Sequence, residues 1–372
     1  MTHPNHLPLA TIEQKQNRLA KVRVEMKGRE LPAFYVVNLD NVRYLTGFTG
    51  STGTVLITES EAAFLTDSRY TTQASVECDG FSVESFGAFA FKEMAKWLAD
   101  REIARLGFEA AHTTVRQLSA MHEAMGEGVA LIETDDVVES IRLVKDEGEI
   151  ERIRTACRLT DTAFRFILPS LKPETTEREI MLGLENFIRR QKHCEPSFET
   201  IIVSGPRSAM PHGKASDRAL QEGDLVTLDF GVQYGGYCAD ITRTICIGEP
   251  TKEQKTIHSI VAEAQKRAIE SVREGAISKE VDAAARDYIN ESGHKEHFGH
   301  SVGHSLGLNV HDGPGASPQG ENLFKAGMII TIEPGIYIPD WGGVRIEDDV
   351  LVTSDGCEVL TLSDRGITPN AD

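Results

Sequence analysis

LQEGDLVTLDFG, residues 220–231, and FKAGMIITIEPG, residues 324–335, are one phrase written twice. At a constant offset, Gly223 falls on Gly327, Thr227 on Thr331, Asp229 on Glu333 and Gly231 on Gly335. In each copy an acid interrupts a run that otherwise reads as buried strand. Each copy then supplies a second acid. After Asp229 comes YGGYCADITRTI, where Gly235-Gly236 reads as a tight turn and Asp240 lies in the returning strand; after Glu333 comes WGGVRIEDDVLV, with Gly342-Gly343 and then Glu347. Two matching hairpins thus aim four carboxylates at one place.

An ionised carboxylate withdrawn from water costs on the order of several kcal/mol unless it is paired or bound to metal. Four converging acids without a compensating cation therefore call for metal. Hard oxygen donors suit two divalent ions about 3.5–4 Å apart, an arrangement that activates water for hydrolysis. The competing reading is that Asp229 and Glu333 cap strand ends or pair with arginines such as Arg243 and Arg345. It accounts for single acids but not for the repetition.

Three histidines crowd into FGHSVGHSLGLNVHDGPG: His300, His304 and His311. The i, i+4 pair lacks the adjacent glutamate of a zinc-peptidase helix, and the glycines from Gly299 to Gly307 oppose a helix. A loop or strand entering the acid cluster fits better, with His304 as a fifth ligand. His212 stands in a loop flanked by Pro211 and Gly213, where a lone histidine is ordinarily just solvated.

The remainder of the chain bounds these readings. It has 372 residues, 40% of them hydrophobic, enough for two domains, and its formal net charge of −18 disfavours nucleic acid or anionic membrane as a partner. The start of the chain carries no signal-like apolar run and no stretch is long enough to span a membrane, which points to the cytoplasm. Six scattered cysteines form no Cys-x-x-Cys pair, and Cys238 and Cys246 read as small buried residues. Residues 1–139 alternate strands (33–37, 53–57, 62–66) with helices (68–77, 91–106) and predict an α/β domain. Residues 140–372 predict an α+β domain with an internal duplication: a long helix from Ser140 to Pro169, one opened by a Thr176/Glu179 capping box, and two more after residues 252 and 279.

DFG with Asp229, YCADITRT with Asp240, GHSVGHSLGLNVHD, TIEPGIYIP with Glu333 and GGVRIEDD with Glu347 stand in the order of the pita-bread metallopeptidases of family M24, which this chain resembles. NVRYLTGFTGS and LTDSRYTTQA resemble the creatinase/prolidase N-terminal domain, which narrows the likeness to short bacterial Xaa-Pro aminopeptidases and Xaa-Pro dipeptidases. The resemblance implies two divalent ions held by Asp229, Asp240, His304, Glu333 and Glu347; the carboxylate-rich donor set favours Mn2+, and its one imidazole admits Co2+, Zn2+ or Fe2+. It implies catalytic roles for His212, His311 and Glu333, and places His300 and Arg345 at the substrate. Arg345 is expected either to orient Glu347 or to meet a substrate carboxylate. The implied reaction is hydrolysis of the bond before proline at the N-terminus of short peptides by a homodimer, with residues 39–51 bordering the partner's active site. Ser301 and Ser305 depart from glycines common among relatives. A metal-free peptide-binding module and a creatinase-like amidine hydrolase are the alternatives, and neither needs all five ligands.

Overall fold

The computed structural model describes residue 7, residues 9–85, residue 87 and residues 89–368. The chain divides into two compact units, Met1–Arg142 and Leu143–Asp372.

In the first unit, β1 (Ala33–Val36), β2 (Thr54–Thr58), β3 (Ala62–Leu65), β4 (Ser82–Glu84), β5 (Arg105–Glu109) and β6 (Ala130–Thr134) form one mixed sheet in the order β4-β3-β2-β1-β5-β6. Tyr35, Leu56, Leu65 and Phe108 of the sheet pack with Met94 and Leu98 of helix Phe91–Ala99 and Met121 of helix Val115–Met125. The helix expected over 91–106 is cut short. Ile103 N–H returns to the Leu98 carbonyl at 3.0 Å and Glu102 takes a left-handed φ of 54°, after which the chain enters β5. After Asn38, Leu39–Thr46 is a helix, capped by the Asn38 side chain and ended by Gly47 at φ 79°. Tyr44 and Phe48 of this segment are buried.

The second unit carries β7 (Cys194–Pro196), β8 (Ile201–Ser204), β9 (Leu225–Phe230), β10 (Val232–Tyr234), β11 (Ile241–Cys246), β12 (Ile329–Ile332), β13 (Gly335–Ile338), β14 (Gly342–Arg345), β15 (Asp348–Val352) and β16 (Cys357–Val359). The duplication is visible in its packing. Antiparallel β8-β9-β11 is covered by helices Glu147–Ile167 and Glu177–Arg190, whose Phe164, Ile180 and Leu184 meet Val226, Leu228 and Phe230. Antiparallel β12-β15-β16 is covered by helices Lys252–Ser271 and Ser278–Ile289, whose Val261, Ala264, Val281 and Ala285 meet Ile330, Ile332 and Val350.

Two local expectations fail for definable reasons. The helix read from Ser140 is broken, because Lys145 N–H donates to the Gly327 carbonyl at 2.9 Å and Asp146 caps a new helix through a box with Glu149. Gly235 and Gly236, at φ 54° and 95°, do form the turn of the first hairpin. Gly342 and Gly343, however, lie inside β14, and the second turn is made around Asp340 at φ 63°. Gly343 is required by close packing: a Cβ there would lie 2.3 Å from the Ser208 carbonyl oxygen.

A C-terminal strap completes the unit. Asp161 accepts the N–H groups of Leu362 and Ser363 at 3.0 and 2.8 Å, and Arg243 donates to the carbonyl of Ser363.

Candidate metal centre

Asp229 lies near the end of β9, opposite Thr242 of β11; Asp240 immediately precedes β11; Glu333 follows β12; Glu347 precedes β15. All four acids therefore sit where strands begin or end. The histidine segment joins from the side. It is neither helix nor strand, but Thr331 N–H donates to the His304 carbonyl at 2.8 Å and Glu333 N–H to the Val302 carbonyl at 2.7 Å. Its glycines allow this approach: a Cβ on Gly303 would lie 1.8 Å from the Thr331 carbonyl oxygen, and one on Gly315 2.3 Å from the Cα of His304.

His304 Nε2 stands 3.4 Å from Glu333 Oε1 and 3.7 Å from Asp240 Oδ2. One ligand atom each from Asp240, His304 and Glu347 lies within 4.8 Å of the others, close enough to share one ion. Asp240 Oδ1 and Glu347 Oε1 are buried and accept no hydrogen bond among the described residues. Such orphaned oxygens are costly in a dry interior, and a cation answers them. Burial, and then Glu347, Asp229, Asp349 and Glu333, push the Asp240 carboxyl well above the usual carboxylate range. Burial, and then Glu333 and Asp229, do the same to Glu347, while burial lifts Glu333 to about 8. Burial and then His311 pull His304 down to about 4, which leaves a neutral imidazole suited to metal. Oxygen-rich donors with one imidazole fit divalent cations.

His311 is exposed and stands edge-on to His304, ring centres 4.3 Å apart; His212 is exposed in its turn. Of the two expectations for Arg345, the one that it orients Glu347 is not met. Arg345 is 3% exposed and its guanidinium pairs with Asp229 at 2.5 Å, not with Glu347, while also donating to Tyr337 Oη at 2.8 Å, Thr242 Oγ1 at 3.0 Å and the Pro211 carbonyl at 3.3 Å. Part of the competing reading thus holds, since Asp229 does have an arginine partner. His300 has Nε2 2.9 Å from Tyr337 Oη and Nδ1 2.8 Å from the Ser301 carbonyl oxygen. The polar atoms of His300 and Arg345 face protein partners in this structure.

Sequence reasoning passed over three participants. Thr242 donates to Glu347 Oε2 at 2.5 Å. Asp348 is answered by Arg243 at 2.7 Å, Gln265 at 2.7 Å, Arg365 at 2.5 Å and Thr361 at 2.8 Å. Burial acts to raise its carboxyl, but Arg243 and Arg365 outweigh this and hold it below the usual range. Asp349, beside it, accepts the Asp240 N–H at 2.9 Å. The run Glu347-Asp348-Asp349 was the one available signal, because three successive acids entering a buried strand cannot all be solvated.

Residues 151–354 match metallopeptidase family M24, and residues 18–144 match the creatinase/prolidase N-terminal domain. The chain belongs to metallopeptidase family M24. An uncharacterized peptidase of Bacillus subtilis is 41% identical over 93% of this chain and 98% of its own length. A Xaa-Pro dipeptidase of Pyrococcus horikoshii is 37% identical over 94% of this chain and 97% of the relative. Among solved structures, a Xaa-Pro dipeptidase from Bacillus anthracis superposes with a TM-score of 0.91 at 42% identity, covering 95% of this chain and 99% of that one. An M24 peptidase uses divalent metal, and the acid cluster is where this chain has oxygens to hold it. Among the described residues no helix is long and apolar enough to cross a membrane.

Proposed function

We propose that this chain is a Xaa-Pro peptidase, a metal-dependent exopeptidase that hydrolyses the amide bond before proline in short peptides. The observation that carries the reading is the set of buried carboxylate oxygens without donors at Asp240 and Glu347, in a chain similar to Xaa-Pro dipeptidases over more than nine-tenths of its length. Asp229, Asp240, His304, Glu333 and Glu347 would hold two divalent ions, with Mn2+ favoured by the hardness of four carboxylates. When bound, such ions supply Lewis acidity to the scissile carbonyl and to water.

The chain's own residues supply the rest. Glu333, half-buried and with Oε1 3.4 Å from Thr331 Oγ1, holds and passes the proton required by the departing proline nitrogen. His212 and His311, exposed beside the acids, donate hydrogen bonds to the carbonyl oxygen as negative charge builds on it. Arg345 orients Asp229 and opposes the rise that burial imposes on its carboxyl, and through the Pro211 carbonyl it steadies the turn bearing His212. His300 fixes Tyr337, which in turn receives Arg345. A homodimer acting in the cytoplasm completes the reading, with residues 1–139 and 140–372 as its two domains.

Metal-stripped protein reloaded in turn with Mn2+, Co2+, Zn2+ and Fe2+, and assayed on Xaa-Pro dipeptides beside Xaa-Pro-Xaa tripeptides, tests this. Restored cleavage before proline, greatest with Mn2+, is expected. Absence of cleavage with every ion, or cleavage indifferent to proline, would overturn it. A monomer of full activity by size-exclusion would remove the dimer alone.

A further inference from the structure

The stretch that delivers Asp240 into the site has three successive amides, each pinned by a different part of the chain. Cys238 N–H donates to the Gly307 carbonyl at 2.8 Å and Ala239 N–H to the Val232 carbonyl at 3.0 Å. Asp240 N–H donates to Asp349 Oδ2 at 2.9 Å, so it alone of the three depends on a side chain. That side chain is itself held rigidly. Asp349 is 0% exposed, pairs with Thr331 of β12, donates its N–H to Thr361 Oγ1 at 3.1 Å and receives the Leu360 N–H on its carbonyl at 2.8 Å. Its Oδ2 also receives Cys157 Sγ at 3.3 Å, and its Oδ1 has no partner among the described residues.

We infer that Asp349 is a positioning residue for the metal centre, fixing the backbone of Asp240 so that the Asp240 carboxylate and Glu347, two residues before Asp349, can share a cation. The inference rests on the Xaa-Pro peptidase reading. Physically, a buried carboxyl oxygen that accepts a backbone N–H satisfies a donor that would otherwise be left unpaired, and a rigid acceptor transmits its own position to the donor. Asp349 links the acid of the first hairpin copy to the strand of the second. The two halves of the duplicated unit therefore hold their ligands in one frame. Groups that orient metal ligands from behind typically contribute about 10–100-fold in metal affinity. A purely structural role would lower stability and leave the affinity of the folded protein unchanged.

The test is Mn2+ affinity of the metal-stripped full chain, measured by competition with a chromophoric chelator, with folding followed by circular dichroism. Asp349→Leu, close to aspartate in shape but without an acceptor, and Asp349→Ala should each weaken Mn2+ binding by about 10–100-fold. Asp349→Asn, which keeps an oxygen for Asp240 N–H, should bind close to wild type, as should Cys157→Ala. Wild-type affinity in the leucine or alanine variant, or an asparagine variant as weak as the leucine one, overturns the inference while leaving the peptidase reading intact. If the wild type itself binds no Mn2+, that reading falls and the inference falls with it. Should neither apolar variant fold, hydrogen exchange in the metal-free wild type decides: a protected Asp240 amide supports the bond, and exchange at the solvent rate refutes it.

Discussion

Glu109 in the N-terminal unit and Glu347 in the C-terminal unit are both carboxylates withdrawn from water, yet only Glu109 has every oxygen answered. Its Oε2 receives the N–H groups of Val37 and Asn38 at 2.6 and 2.7 Å, and its Oε1 receives the Asn41 amide at 2.6 Å. Glu347 receives Thr242 on one oxygen and nothing described on the other. The same contrast recurs between adjacent residues, since Asp348 is saturated by two arginines, a glutamine and a threonine. Burial alone therefore does not mark a functional acid. Within these two pairs, Glu347 against Glu109 and Glu347 against Asp348, the proposed ligand is the one with an oxygen left without a donor among the described residues.

The largest effect should come from the unanswered acids. Asp240→Ala or Glu347→Ala should abolish hydrolysis and bring metal content, measured by elemental analysis, below two ions per chain, while the circular dichroism spectrum stays that of wild type. Full occupancy with normal turnover would show that these oxygens hold no metal.

The exposed histidines should behave differently from both kinds of acid. His212→Ala or His311→Ala should lower kcat by about 10²-fold, as loss of an oxyanion donor does, without emptying the site. Metal lost in parallel with activity would make the histidine a ligand and reopen the choice of His304.

A saturated acid should show up in stability. Asp348→Asn leaves Arg243 buried without its charge partner, and breaking such a pair costs about 3–5 kcal/mol. The check is urea unfolding of the metal-free protein, where an unchanged midpoint would mean that Arg243 has other sufficient partners.

The smallest effect sharpens the comparison through pH. Burial raises the Glu109 carboxyl to about 7 from its ordinary 4.5, so the folded chain holds this proton more tightly than the unfolded one. Its contribution to stability is complete below pH 4.5 and is lost as pH rises through 7. Glu109→Gln should flatten that part of the profile, by on the order of 1–3 kcal/mol, in the difference between urea midpoints at pH 5 and pH 8. Identical slopes in variant and wild type would show that the answering donors already keep the carboxylate charged.

The positions of the acids were legible because an Asp or Glu inside a strand run, flanked by glycine and repeated, is improbable unless chemistry demands it. Strands β1 to β3 and the Thr176 capping box were legible for local reasons, since periodicity and caps act over a few residues. What escaped was set by distance along the chain. Arg345 and Asp229 lie far apart in sequence, so their pairing stood only as the competing reading, and nothing near Arg345 decides between Asp229 and Glu347. Gly342-Gly343 looked like a turn because glycine pairs usually are one. The close approach of Ser208, which requires Gly343, is invisible until the fold is built.

The C-terminal strap sets where this polypeptide can be cut. The family match ends at residue 354, yet Thr361 and Arg365 both bond Asp348, Ser363 receives Arg243, and Asp161 gathers Leu362 and Ser363. An expression fragment trimmed to the matched segment would keep all five proposed ligands and still remove the residues that neutralise Asp348 beside Glu347. A protease that nicks the chain after Val359 would do to the intact protein what such trimming does to the gene.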